Sequence, residues 1–168
     1  DFVAFALYLA YFPHLVAGPI QRSTQLLPQL LSPRSVRAEQ IESGAVLMLV
    51  GFFKKIAIAD AVSPTVDRIF AQPNLPTSAP IQIGLSLFAI QIYTDFSGYT
   101  DIARGVSRLM GVELRLNFRQ PYFSTNVSEF WRRWHISLSE WLRDYLYISL
   151  GGNRRGKART YANLFATM

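Results

Sequence analysis

The 168-residue chain has no cysteine, two histidines, and 11 acidic residues against 17 basic ones. Without cysteine it forms no disulfide and offers no thiolate to a metal, and the redox compartment stays open. No basic region precedes the first apolar run, so no signal peptide is readable. Internal repeats and low-complexity tracts are also absent. Charge is missing altogether from Phe2 to Gln21, which is about the ~20 residues a spanning helix requires. Asp1 is not an initiator methionine, and residues 164–168 stop inside an apolar segment. The chain is therefore expected to be a piece of something longer.

The basic excess is local. From Arg104 to Arg159 there are eleven basic and four acidic side chains, set between apolar segments rather than on a soluble domain. Lys and Arg beside membrane spans are the expected cytoplasmic bias. Aromatic residues among arginines also occur on single-strand-binding surfaces. Nothing here supplies a recognisable nucleic-acid fold, so no nucleic-acid partner is expected.

The apolar pattern predicts a helix from Phe2 toward Gln21, interrupted by Pro13 and Gly18-Pro19, then a polar loop from Gln21 to Arg37. A second helix is predicted from about Ala38 to Asp60. Its Lys54 and Lys55 must snorkel, face a wet cavity, or mark the helix end. Residues 71–80 read as an uncharged, proline-rich loop suited to the extracytoplasmic side. A third helix is predicted from Ile81 toward Arg104, with Ser78 and Pro80 as start signals. After an irregular basic stretch, Gly111 to Pro121, a further helix is predicted from about Ser124 to Tyr147. It is too charged for lipid and lies between two basic segments, so it should enter the protein and return to the same face.

That last helix holds all three tryptophans and one of the histidines. At about 100° per residue it sorts into three faces. Arg132, His135, Ser139 and Arg143 form a polar stripe that Ser128 extends. Phe130, Trp134, Leu138, Trp141 and Tyr145 form an aromatic flank. Glu129, Arg133, Glu140 and Asp144 form an ionic flank, where Glu129 and Arg133 can pair at i, i+4. A histidine centred between arginines and a hydroxyl fits the lining of a polar cavity. An interfacial amphipathic helix would carry the same pattern.

The run Phe130 to Tyr147, followed by Leu150-Gly151-Gly152-Asn153-Arg154, resembles the signature region of the membrane-bound O-acyltransferases. It is most similar to their bacterial branch, which holds the alginate O-acetyltransferases and the teichoic acid D-alanyl transferases. Residues Phe12 to Ile20, Gln91 to Asp101 and Asn117 to Tyr122 match the same branch in the same order. The resemblance covers nearly the whole chain, so residues 1–168 read as part of one catalytic domain. It implies an all-α, polytopic protein of a bacterial inner membrane, with about three spanning helices here plus a re-entrant amphipathic helix. It implies an acyl donor, acetyl-CoA or a carrier-linked acyl group, and no bound cofactor or metal. The acceptor would be a polysaccharide hydroxyl, reached directly or through a periplasmic acetyltransferase partner. In this family the hallmark histidine, the principal base, lies downstream of the signature region, here beyond Met168. His135 matches a second polar position, which is Asn or Asp in eukaryotic relatives. The resemblance therefore gives it a site role in placing or polarising substrate.

Chemistry supports these expectations. Imidazole has the right unperturbed pKa for proton transfer near neutrality, and Arg132 and Arg143 would favour its neutral form by repulsion. Arg132, Arg133 and Arg143 could stabilise negative charge developing on a carbonyl oxygen or hold the donor. Trp131 and Trp134 would wall the site and exclude water, and Ser139 would hydrogen-bond a neighbour or substrate. Asp95, late in an apolar run, should face a partner or water, either locked to an arginine of the signature helix or in the site. His14 is expected to support a loop or tunnel wall.

Three look-alikes are set aside. His135 and Glu140 lie about 140° apart on a helix, so His-x4-Glu is not a shared site. His135 with Ser139 lacks a nucleophile elbow. Gly151-Gly152-Asn153 lacks the Gly-Lys-Ser/Thr ending of a phosphate loop. A non-enzymatic transporter or scaffold with a charged cavity is the competing reading, and broken helices are normal there.

Overall fold

The computed structural model describes residues 2–72 and 78–167, and within them every regular element is helical. The chain forms two compact units, one of residues 1–18 and 22–114, the other of residues 19–21 and 115–168.

In the first unit α1 spans Phe2–Ala10, half the length expected. Pro13 offers no N–H and biases its predecessor away from helix, and a single tight turn, Phe12–His14, follows instead. Gly18 then lets the chain fold back. A Cβ there would lie 2.4 Å from the Pro13 carbonyl oxygen. The expected loop from Gln21 to Arg37 contains a helix, α2 (Ser23–Leu31). Pro28 and the polar neighbours hid it, but Leu26 and Leu30 sit one turn apart and are buried with Tyr11, Val112 and Leu114.

The second predicted helix runs further than expected. It comprises α3 (Ala38–Phe52), a wider π-helical stretch Phe53–Asp60, and α4 (Ala61–Phe70). The third is α5 (Ser78–Leu109), longer at both ends than expected, with Asp95 inside it. Residues 73–77 of the predicted 71–80 loop fall outside the described residues. Helices α3 and α5 run antiparallel with glycine against glycine. A Cβ on Gly51 would stand 2.6 Å from the Gly98 oxygen, and one on Gly105 would stand 2.6 Å from that of Gly44. This backbone approach places the lysines of the π-helical stretch beside the acids of α5. Lys54 Nζ lies 2.7 Å from Asp101, and Lys55 Nζ lies 2.5 Å from Asp95 and 2.9 Å from Asp60. The two lysines are therefore paired with carboxylates, and Asp101 also holds Arg104 at 3.6 Å.

In the second unit the single helix expected over 124–147 is broken in two. Helix α6 spans Val127–Arg133 and α7 spans Ile136–Leu142, the latter running into a π-helical turn, Arg143–Tyr147. Asn126 caps α6 by accepting the Glu129 N–H at 2.8 Å, and Glu129 reaches back to the Thr125 N–H at 2.8 Å. Helix α8 (Lys157–Thr167) ends the described chain. Asn163 on α8 donates to the carbonyls of Leu150 and Gly152, pinning the turn before it. Among the described residues no helix is long and apolar enough to cross a membrane.

Candidate active site

The break between α6 and α7 has no glycine or proline to cause it. In a continuous helix the Arg133 carbonyl would accept from residue 137, and the Ile136 N–H would donate to residue 132. Both are diverted to an extended segment. Arg119 N–H donates to Arg133 O at 3.0 Å, and Ile136 N–H donates to Asn117 O at 2.9 Å. Trp134 is left extended, and His135 takes the left-handed conformation at φ 42°. Non-glycine residues seldom adopt that region, and it costs of order 1–3 kcal/mol where they do.

The two short helices meet over a cavity of about 1010 Å³. Six of the predicted site residues line it: Trp131 and Arg132 from α6, Trp134 and His135 from the junction, and Ser139 and Arg143 beyond it. The stripe survives the break because His135, Ser139 and Arg143 keep their four-residue spacing, while Ser128, Trp131 and Arg132 are neighbours on α6. Glu140, Tyr147, Leu164 and Thr167 also line the cavity. Tyr147 and Thr167 were missed, and only long-range packing brings α8 here.

Two predicted residues lie elsewhere. Arg133 is absent from the lining and pairs with Glu129, as its spacing on the ionic flank anticipated. Asp95 belongs to the first unit, where its partner is Lys55 rather than an arginine of the signature helix. The side chain that meets Asp95 comes from the π-helical stretch, whose wider turn no periodicity announces.

Burial holds the His135 imidazole below its ordinary pKa, partly offset by a hydrogen bond with its own backbone. The direction matches expectation, but desolvation rather than arginine repulsion is the main cause. Phe118 packs edge-on against Trp134 at 5.0 Å and tilts toward His135 at 6.5 Å. Phe130 stacks on Trp134 at 5.6 Å, stiffening that wall. Ser139 Oγ donates toward the carbonyls of Trp131 and Trp134 at 3.3 and 3.4 Å, tying α7 to the end of α6. Arg143 Nε is bonded to Asp144 at 2.7 Å, which raises its already high pKa. Glu140 pairs with Arg115. Arg132 has no ion pair among the described residues and remains the uncompensated cation of the lining. Elsewhere, His14 lies between the rings of Tyr8 and Tyr11 at 5.8 and 5.9 Å, a packing position in the first unit. Among the described residues no cluster of three or more His, Cys, Asp or Glu could hold a metal ion.

Comparison with known proteins gives this geometry a context. The chain is 48% identical over its whole length to the probable alginate O-acetylase AlgI of Pseudomonas syringae pv. tomato, covering 32% of that protein. It is 37% identical over 165 residues to the peptidoglycan O-acetyltransferase of Helicobacter pylori, covering 97% of this chain and 31% of the relative. It is 32% identical over 148 residues to the teichoic acid D-alanyltransferase of Bacillus subtilis, covering 84% of this chain and 36% of the relative. The chain thus spans about a third of the length of the curated relatives it matches. The family model for the membrane-bound O-acyltransferases matches residues 1–168. Whole-length agreement with that model, with the signature residues gathered around one cavity, places this chain in the membrane-bound O-acyltransferase family.

Proposed function

We propose that the chain carries part of the acyl-transfer site of a polytopic O-acyltransferase embedded in a bacterial inner membrane. The enzyme takes an acyl group, acetyl, from a cytoplasmic donor such as acetyl-CoA or a carrier-linked acyl group. It passes that group toward hydroxyls of an extracytoplasmic polysaccharide such as alginate, directly or through a periplasmic acetyltransferase partner. The observation that carries this reading is the lining of the large cavity: a neutral-favouring imidazole, the Arg132 guanidinium with no ion pair among the described residues, and two indole walls.

Acyl transfer to a hydroxyl develops negative charge on the carbonyl oxygen, and a guanidinium on the cavity lining stabilises that charge. Neutral imidazole can accept a hydrogen bond from the attacking hydroxyl or donate one to the carbonyl. His135 places or polarises substrate in this scheme, and the principal base comes from outside these residues. Trp131 and Trp134 keep water from the acyl donor. Membrane placement is supported by large apolar side chains left exposed on α3 and α5, among them Leu49, Phe52, Ile83 and Phe88. Neither α6 nor α7 approaches the ~20 residues of a span, as a re-entrant element requires.

His135→Ala in the full-length protein should cut acetylation of the exported polymer on the order of 100-fold, with protein level nearly unchanged. Normal acetylation by well-expressed His135→Ala would overturn the reading. For topology, Arg115→Cys and Arg155→Cys should be labelled from the same, cytoplasmic face, and labelling from opposite faces would refute the re-entrant arrangement.

A further inference from the structure

Three of the four stretches that carry the family resemblance meet at one hydroxyl. Ser137, buried on the first turn of α7, accepts the backbone N–H of Ile20 at 2.9 Å. Its own proton goes to Asn117 Oδ1 at 2.6 Å. Asn117 is 1% exposed, and its backbone carbonyl accepts the Ile136 N–H. Neither Ser137 nor Asn117 lines the cavity.

We infer that Asn117 and Ser137 are positioning residues that hold His135 in its left-handed conformation and so aim the imidazole into the cavity. This rests on the acyl-transfer reading of that cavity. His135 is bracketed on both sides by the same extended segment: Arg119 N–H fixes Arg133 O before it, and Asn117 fixes Ile136 and Ser137 after it. With both brackets in place the chain cannot continue as a helix, and residues 134 and 135 must make the turn. Without the Ser137–Asn117 side-chain bond only the backbone bond from Ile136 remains on that side, and the loosened bracket lets residue 135 relax toward an ordinary helical conformation that turns the ring away. The pair is built for geometry more than for stability. Asn117 Nδ2 has no partner among the described residues, an unmet buried donor that costs free energy. The asparagine contributes its side-chain oxygen to Ser137; the backbone carbonyl that holds Ile136 would be there with any residue.

The test uses the full-length protein in membranes with acetyl-CoA as probe donor, comparing Ser137→Ala, Asn117→Ala, their double variant and Ser137→Thr. Turnover per protein molecule should fall about tenfold or more in each alanine variant, with KM for acetyl-CoA within about twofold. The double variant should be no worse than the poorer single one, because one bond is shared. Ser137→Thr, which keeps the hydroxyl, should recover most of the rate. A second readout does not depend on activity. Diethyl pyrocarbonate modification of His135, mapped by mass spectrometry and normalised to His14 in the same chain, should rise several-fold in Ser137→Ala.

Unchanged turnover per molecule, or an unchanged His135 to His14 ratio, overturns the inference. If His135→Ala is itself fully active, the acyl-transfer reading fails instead. A raised modification ratio would then still uphold the clamp.

Discussion

The α3–α5 pair and the α6–α7 junction solve opposite problems. In the first, two long helices approach so closely that only glycine fits at the contacts, and their charges are met by carboxylates across the pair. In the second, two short helices are kept from merging by backbone hydrogen bonds to a third segment, and a cation and an imidazole come to line one cavity. Close backbone approach yields a scaffold whose lysines are met by carboxylates. An interrupted helix yields a cavity lined by polar groups. Strain sits in the second region, at His135, and not among the regular elements of the first.

The contrast is broken most severely at the glycines. Gly98→Val should destabilise the protein by about 3 kcal/mol or more, because its side chain would start 2.8 Å from the Gly51 oxygen. Thermal unfolding of the detergent-solubilised protein reads this, and a shift of only a degree or two would mean the helices can part cheaply. At the junction, Asn126→Ala removes the α6 cap and should cost about 1 kcal/mol, measured the same way.

His135 has its folded pKa depressed below the ordinary 6.5, so the fold favours neutral imidazole. Its contribution is complete above 6.5 and is lost as pH falls through the folded value. The wild-type melting temperature should therefore drop more steeply below pH 6.5 than that of His135→Gln, and parallel curves would contradict the burial. A loss no larger than that of the α6 cap is expected at Trp141→Ala. Were its ring fully buried on the aromatic flank the loss would be larger, but the residue is 40% exposed and its ring lies 5.3 Å from that of Tyr145. The loss should be about 1 kcal/mol, well short of the 3–5 of a buried tryptophan.

The legible features were those that periodicity or spacing encodes. The helices around Ala38–Asp60 and Ile81–Arg104 were placed correctly in kind, though both run longer. Asp95 was legible as a charge needing a partner, but not its partner. Lys55 and Asp95 are brought together by a helix crossing set at Gly51 and Gly98, each about one turn from the charged residue it serves, and no pattern within one helix reveals which helix it crosses. Helix α2 was hidden by Pro28, whose cost is offset by the burial of Leu26 and Leu30.

The sequence by itself determined that the chain is helical, that its polar residues gather at His135, and that its ordered motifs are those of the membrane-bound O-acyltransferases. These follow from composition, from a four-residue repeat and from residue identity, all local properties. Packing between distant segments sets the break of the signature helix at His135, the turning of Arg133 away from the cavity lining, and the bond between Asn117 and Ser137. Each depends on a hydrogen bond or ion pair whose geometry no helical projection contains. Where the Arg133 carbonyl finds its donor is settled by the position of Arg119, fourteen residues earlier in the chain.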